Sequence, residues 1–335
     1  MLMVDRYWRR GKGSPCLCAS EPLHSKIMST TVAFLGPRGT FTEMAMQAFA
    51  ARGCFDADDV TGLPVSSPAE ALDAVVQGSA DYACVAIENS VDGAVTPTFD
   101  ALAAAEGVQI YHEFALDISF AFMRGDAAPT STPPRLSTHP VAWQQVKLSA
   151  QRLLGEVEFI PASSNAAAAE AVARGEADYA AAPEAAADLW GLQVIASDVA
   201  DVPGARTQFV VVGPAGVPTP RTGNDRTSVV FTLPNVPGSL VGALTEFSLR
   251  GVDLTRIESR PTRTGLGTYR FHADLVGHID DAIVAEALRA LHMRCESLHY
   301  LGSWPHNSAP SEQPSNTPER DAATAWVARM KEGQR

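Results

Sequence analysis

From residue 32 onward, short apolar runs alternate with Ala-rich stretches of helical period. Val32–Leu35 predicts a strand, and the turn Gly36-Pro37-Arg38-Gly39-Thr40-Phe41-Thr42 leads into a helix from about Thr42 to Arg52. Ser67-Pro68-Ala69-Glu70 has the form of a capping box, with Pro at the first helical position and Glu at the third, and predicts a helix to Val76. Gly78 stops that helix, and Tyr82–Ile87 reads as a buried strand. The pattern then echoes. Glu70–Ala83 and Glu170–Ala180 both read as helix, Gly, then x-Ala-Asp-Tyr-Ala and a strand. The echo predicts two similar α/β lobes that face each other and share a cleft.

Pro214–Asp225, rich in Pro, Gly and Thr, predicts a linker. Beyond it the rhythm changes. Thr227–Leu233 is a strand, Leu240–Arg250 a helix, Asp253–Thr262 and Gly267–Val276 strands, Asp280–His292 a helix and Glu296–Gly302 a strand. The order βαββαβ is the ferredoxin-like plan. The expected organisation is a disordered extension over 1–30 and a two-lobed unit over 31–213. Its first lobe takes about 31–112 and 192–213, its second about 113–191. The linker follows over 214–225, the small domain over 226–303 and a disordered tail over 304–335, with a short helical segment at Ala322–Lys331. The start is basic (Arg6, Arg9, Arg10, Lys12) but lacks the apolar run of a secretory signal. Met28, just before the first strand pattern, is an alternative start that would make 1–27 an overextended reading frame.

Composition narrows the function. The chain has 335 residues, 46% of them hydrophobic, which excludes a wholly disordered polymer. No segment reaches the ~20 apolar residues of a membrane-spanning helix. A net charge of −12 argues against a nucleic-acid partner. It leaves room for a small anionic ligand, because local N–H donors decide a pocket. Five cysteines (Cys16, Cys18, Cys54, Cys84, Cys295) without a framework spacing read as reduced thiols in a cytoplasmic protein. No P-loop, G-x-G-x-x-G after a strand, H-E-x-x-H, EF-hand loop or G-x-S-x-G elbow occurs, so no metal or cofactor is expected.

What remains are four polar clusters at element ends. Gly36–Thr42 combines glycines, which permit close backbone approach, with the N–H groups of a helix start, which favour an anion such as a carboxylate. Ile87-Glu88-Asn89-Ser90 ends an apolar run where open α/β sheets bind ligands, and a buried Glu88 would have a raised pKa and serve as an acid. In Thr138-His139-Pro140-Val141-Ala142-Trp143-Gln144-Gln145, Thr138 can cap the following helix, with Gln145 two turns along the same face. In Arg206-Thr207-Gln208-Phe209, Thr207 and Phe209 share one face of a strand and Gln208 takes the other.

In order and spacing, these clusters resemble the prephenate dehydratase family, whose pattern is a G-P-x-G-T-F turn, an I-E-N-S strand end, an S-H-P-Q-A segment with a later Gln, and a T-R-F strand. The C-terminal unit resembles an ACT domain, with Gly242-Ala243-Leu244 for its G-A-L motif and Glu258-Ser259-Arg260-Pro261 for E-S-R-P. Two departures stand out. The S-H-P-Q-A stretch reads Thr138-His139-Pro140-Val141-Ala142, and the T-R-F strand reads Thr207-Gln208-Phe209, without its cation.

The resemblance implies an α/β fold with a two-lobed, periplasmic-binding-protein-like catalytic domain and an ACT regulatory domain. It implies cofactor-free loss of CO₂ and water from prephenate to give phenylpyruvate, driven by aromatisation, with feedback by L-phenylalanine. Thr207 would hydrogen-bond the leaving hydroxyl, with Glu88 as a proton source. Gly39, Thr40, Phe41, Asn89, Ser90, Thr138, Gln145 and Phe209 would hold the substrate. Asn235, Val236, Gly242, Ala243, Leu244 and Glu258–Pro261 would bind L-phenylalanine at an interface between two ACT units of a homo-oligomer, a dimer or tetramer. Since the substrate is a dianion and the chain is acidic, the cleft must be locally positive or rich in N–H donors. Alternatives are arogenate dehydratase and a non-catalytic amino-acid sensor.

Overall fold

The computed structural model describes residues 29–55, 57, 59–126, 129–262, 267–306 and 318–334. The expectations for 1–27, including a start at Met28, for Cys16 and Cys18, and for 307–317 lie outside the described residues. The first lobe is built from β1 (Ser29–Leu35), α1 (Phe41–Ala51), β2 (Asp59–Val65), α2 (Pro68–Val76), β3 (Tyr82–Asn89), β4 (Gly93–Ala94), α3 (Thr96–Ala104) and β5 (Val108–Asp117). The second comprises β6 (Ala121–Arg124), β7 (Arg135–Thr138), α4 (Pro140–Leu154), β8 (Glu158–Pro161), α5 (Asn165–Ala173), β9 (Tyr179–Ala182), α6 (Ala185–Trp190) and β10 (Gln193–Ala196). β11 (Arg206–Pro214) then returns to the first sheet.

The strand orders are β2-β1-β3-β11-β5 and β8-β7-β9-β6-β10, so the two sheets correspond strand for strand. In each, three parallel strands are followed by two that pair antiparallel. The echoed Ala-Asp-Tyr-Ala segments occupy equivalent places. Asp81 accepts from Thr31 N at 2.8 Å and Asp178 from Arg135 N at 2.8 Å, and each Asp N–H is returned to the same neighbour's carbonyl. The echo is therefore a repeated device that ties the start of the central strand to its neighbour. The chain crosses between lobes later than the sequence suggested. β5 stays in the first sheet through Asp117, and Gln193–Ala196 pairs with β6 in the second.

The C-terminal unit follows as β12 (Asp225–Thr232), α7 (Ser239–Arg250), β13 (Leu254–Pro261), β14 (Tyr269–Val276), α8 (Ala282–His292) and β15 (Ser297–Pro305), with sheet order β13-β14-β12-β15. Helices α7 and α8 cover one face through Ala243, Phe247, Val284 and Leu291. The other face lies on the first lobe. Val230, Leu301 and Trp304 share one apolar cluster with Leu72, Phe99, Ile110 and Val210. A Cβ on Gly302 would stand 2.4 Å from the Ile110 carbonyl, so only glycine admits this approach. Buried Glu113 of β5 meets Arg226 at 3.0 Å and also His306. Burial pushes the Glu113 carboxyl up, but the His306 hydrogen bond and the Arg226 charge outweigh it and hold the pKa below the usual range.

The first and last strands reach beyond their expected bounds. Ser29 and Thr30 already pair with Asp59 and Val60. Residues 304 and 305 belong to β15, because Trp304 is needed in the shared core, and the helical segment expected at Ala322–Lys331 is α9 (Pro318–Lys331). Among the described residues, no helix is long and apolar enough to cross a membrane.

Candidate active site

A cleft of about 940 Å³ lies between the lobes. Its wall carries Thr40, Ser67, His139 and Ser164, which are the N-caps of α1, α2, α4 and α5. Each cap follows the C-terminal end of a parallel strand, where open α/β sheets bind ligands. Thr40 Oγ1 accepts from Glu43 N at 3.3 Å, Ser67 Oγ from Glu70 N at 3.1 Å and Ser164 Oγ from Ala167 N at 3.0 Å, while His139 Nδ1 accepts from Val141 N at 3.3 Å. Caps satisfy only part of a helix's free N–H groups, so four positive dipole ends converge on one space.

Among the described residues, that wall holds no Lys or Arg. Its one carboxylate, Glu70, accepts from Ser66 N and Ser66 Oγ, which holds its pKa below the usual range. Positive potential on this wall therefore comes from helix ends rather than from cations.

A second set of predicted residues forms a polar chain that spans the lobes. Thr207, 7% exposed, accepts at Oγ1 from Asn89 Nδ2 at 3.2 Å. Asn89 Oδ1 accepts from Val91 N at 2.8 Å and Asp92 N at 3.3 Å, which fixes the orientation of the carboxamide. Asp92 Oδ2 in turn accepts from Gln145 Nε2 of α4 at 3.4 Å. Gln145 is buried, and its Oε1 has no hydrogen-bond partner. None of these residues is on the wall, but Phe41 is. Phe41 packs in the cluster that holds Phe209 and Leu116, which flank Thr207 along and across its strand.

Several expected positions are placed otherwise. The carboxylate of Glu88 is 54% exposed, not buried. The β3–β11 register skips Ile87, pairing Phe209 with Ala86 and Gln208 with Glu88. This bulge turns Glu88 to the side of the C-terminal unit and Asn89 to the side of Thr207. Gln208 shares the Val210 and Val212 face, toward the C-terminal unit, so an Arg there would not reach the substrate side of the sheet. Phe209 is core, 2% exposed among Phe34, Phe49 and Val211.

The Gly39 N–H donates to Glu43 Oε2 at 2.6 Å, and a Cβ there would meet Leu189 at 3.2 Å, so Gly39 serves lobe contact. Ser90 Oγ accepts from Arg206 N at 2.9 Å and extends the strand pairing. Thr138 does not cap α4. His139 does, while Thr138 Oγ1 donates to Ala181 O at 2.7 Å.

In the C-terminal unit, Ala243 is core and Leu244 packs against it. A Cβ on Gly242 would lie 3.2 Å from Arg294 Nη1. Asn235 lies beside Gly267 at the β13–β14 turn, and Val236 is exposed. Along β13 the burial alternates, with Glu258 and Arg260 half-buried and Ser259 and Pro261 exposed. Arg260 Nε meets Asp100 of α3 at 3.4 Å.

His139, Ser67, Ser164 and Asp92 were not singled out for the site by sequence reasoning. A signal for the serines was present. Ser66-Ser67 and Ser163-Ser164 precede Asp81 and Asp178 at the same spacing, so the echo extends upstream to both caps.

Residues 32–216 match the family model described as prephenate dehydratase, and residues 227–292 match the ACT domain model. A Corynebacterium glutamicum prephenate dehydratase is 53% identical over 312 residues, covering 91% of this chain and 98% of that protein. The crystal structure of a prephenate dehydratase from Arthrobacter aurescens, in complex with L-Phe, is 38% identical with a TM-score of 0.79, covering 90% of this chain and all (100%) of that one. The structure of GqqA, a quorum-quenching acylase, is 29% identical with a TM-score of 0.72, covering 83% of this chain and 98% of that one.

Proposed function

This chain belongs to the prephenate dehydratase family, and from that premise we infer how its own residues carry the reaction. The activity is that of a carbon–oxygen lyase of L-phenylalanine biosynthesis, in which prephenate loses CO₂ and water to give phenylpyruvate. The electron pair of the bond to the departing carboxylate enters the ring, the ring becomes aromatic and the hydroxyl opposite leaves as water once it takes a proton. The protein has to hold two carboxylates, exclude water and assist that hydroxyl.

The observation that carries the reading is the part-buried Asn89–Thr207 hydrogen bond. Because Asn89 Nδ2 donates to Thr207 Oγ1, the Thr207 proton is left to point elsewhere, toward the leaving hydroxyl. Assistance of that kind contributes ~10²–10⁴-fold. With Glu88 turned away, His139 is the titratable imidazole on the cleft wall. Burial lowers its pKa and the nearby Asp92 charge opposes that, so the neutral form is favoured. Its Nδ1 accepts from Val141, which puts the ring proton on Nε2 as a donor. The paired helix ends support one carboxylate held by α1 and α2 and the other by α4 and α5.

Feedback by L-phenylalanine through the ACT domain is supported by the L-Phe complex of the Arthrobacter relative. In this chain the effector would sit near Asn235, Val236, Gly242 and the exposed edge of β13. Val236, Val241 and Ile257 lie exposed there and support pairing of two ACT units in a homo-oligomer. The test is phenylpyruvate absorbance after adding prephenate, with arogenate in parallel, and calorimetry with L-phenylalanine. Product from prephenate that falls by at least ~10²-fold in Thr207→Ala is the expected result. Near-normal turnover in that variant removes Thr207 from the chemistry.

A further inference from the structure

We propose that Arg256 is a positioning residue that transmits the state of the C-terminal unit to the Asn89–Thr207 pair. The idea rests on the regulatory reading above. Arg256 lies on β13, two residues before Glu258, on the face turned toward the first lobe. Its side chain is 14% exposed and touches three elements at once. Nη2 lies 2.5 Å from Asp274 Oδ2 of β14, which anchors the guanidinium to its own sheet. The guanidinium carbon sits 4.4 Å from the ring centroid of Phe99 on α3. Nη1 stands 4.0 Å from Glu88 Oε2 on β3.

Both elements of the first lobe that Arg256 reaches lead directly to the site. Glu88 follows the bulge at Ile87, and its neighbour, Asn89, orients Thr207. Phe99 is two residues beyond Pro97, which lies on the cleft wall. A shift of β13 therefore moves Glu88 and the start of α3 together, and Asn89 follows through one rigid peptide. The Glu88 contact is long and its carboxylate half-exposed, so it can be made or broken at little cost, as a switch requires. The adjacent contact of Arg260 with Asp100 keeps β13 and α3 in register.

The same geometry supplies a variant that disables the link without touching the site. Glu88 lies off the cleft wall and turns toward the C-terminal unit, so Glu88→Gln removes the charge that meets Arg256 and leaves the wall intact. Removing Arg256 outright would strand the buried Asp274 and threaten folding, so it is not the variant of choice.

The experiment measures kcat and KM for prephenate against L-phenylalanine concentration, with effector binding followed by calorimetry. In Glu88→Gln, L-phenylalanine still binds and basal kcat and KM stay within about twofold, but half-inhibition needs about tenfold more effector. Arg256→Lys, which keeps the charge but loses the planar fork, falls between. Unchanged inhibition in Glu88→Gln with L-phenylalanine bound as in wild type overturns the proposal. So does loss of L-phenylalanine binding in that variant, since the change would then lie in the effector site. A wild-type enzyme that ignores L-phenylalanine overturns the regulatory reading itself, and the proposal with it.

Discussion

In the first lobe the central strand β3 runs on past its neighbour, bulges at Ile87 and ends in Asn89, which holds Thr207 of β11. In the second lobe its counterpart β9 ends at Ala182 and passes into Pro183, and the strand beside it, β6, begins at Ala121. Up to that point the lobes match, with the same strand order, the same Asp clamp and the same pair of capped helices facing the cleft. On the function proposed above, the shared part would serve anion binding, one carboxylate to each lobe, and the unshared strand end would serve the single leaving hydroxyl.

The comparison breaks most visibly if hydroxyls in the two lobes are exchanged in role. Thr207→Ala should lower kcat by ~10²-fold or more and cost only about 1 kcal/mol of stability, for the lost hydrogen bond from Asn89. Thr138→Val in the second lobe should cost about 1 kcal/mol of stability, because one buried hydrogen bond to Ala181 is lost. Its kcat should stay within roughly fivefold of wild type, as no acid–base contribution is removed. Steady-state kinetics beside denaturant melts separates the two outcomes, and a Thr138 effect on kcat as large as that of Thr207 would end the division of labour.

The Asp clamps differ in depth, which makes them the next lever. Asp81 is exposed and accepts from Thr31 N, whereas Asp178 accepts from Thr130 N, Thr130 Oγ1, Ser131 Oγ and Arg135 N. Burial pushes the Asp178 carboxyl up, but those hydrogen bonds, led by Arg135 N, outweigh it and bring its pKa down to about 2. A depressed carboxylate contributes stability that is complete above the unfolded value near 4 and is lost as pH falls through about 2. Asp178→Asn should therefore cost about 2 kcal/mol at neutral pH and flatten the acid limb of the stability curve. Asp81→Asn should cost under about 1 kcal/mol. Urea titrations between pH 2 and 7 read both.

The smallest effects test the symmetry of binding. Ser67→Ala and Ser164→Ala should each cost about 1 kcal/mol of stability. Each should raise KM for prephenate by no more than about fivefold, the scale of one helix-end charge interaction. Equal shifts sharpen the picture of one carboxylate per lobe, and a shift confined to one lobe breaks it.

The helices, the parallel strands and the βαββαβ unit were legible because Ser67, Gly78, Gly175 and the alternating apolar runs signal locally. The site was legible as a set of segments but not as a set of directions. Ile87 suits a regular strand as well as a bulged one, so nothing local announced that Glu88 would turn away and Asn89 inward. Strict alternation did place Gln208 opposite Thr207, yet only the packing of Val230 and Trp304 revealed that this face meets the C-terminal unit. Thr138 reads in sequence as the cap of α4, so the capping place of His139 became visible only with the cleft assembled.

The position of Trp304 matters for anyone wishing to relieve end-product control by trimming the chain. That indole, 1% exposed, together with Leu301 and Val230, completes a core whose other half is Leu72, Phe99 and Val210. A protein cut in the Pro214–Asp225 stretch would expose this apolar surface to water and leave Glu113 without Arg226 and His306. Such a fragment would aggregate in a production host. Freedom from feedback in an overproducing strain should be sought by single substitutions that leave both halves joined.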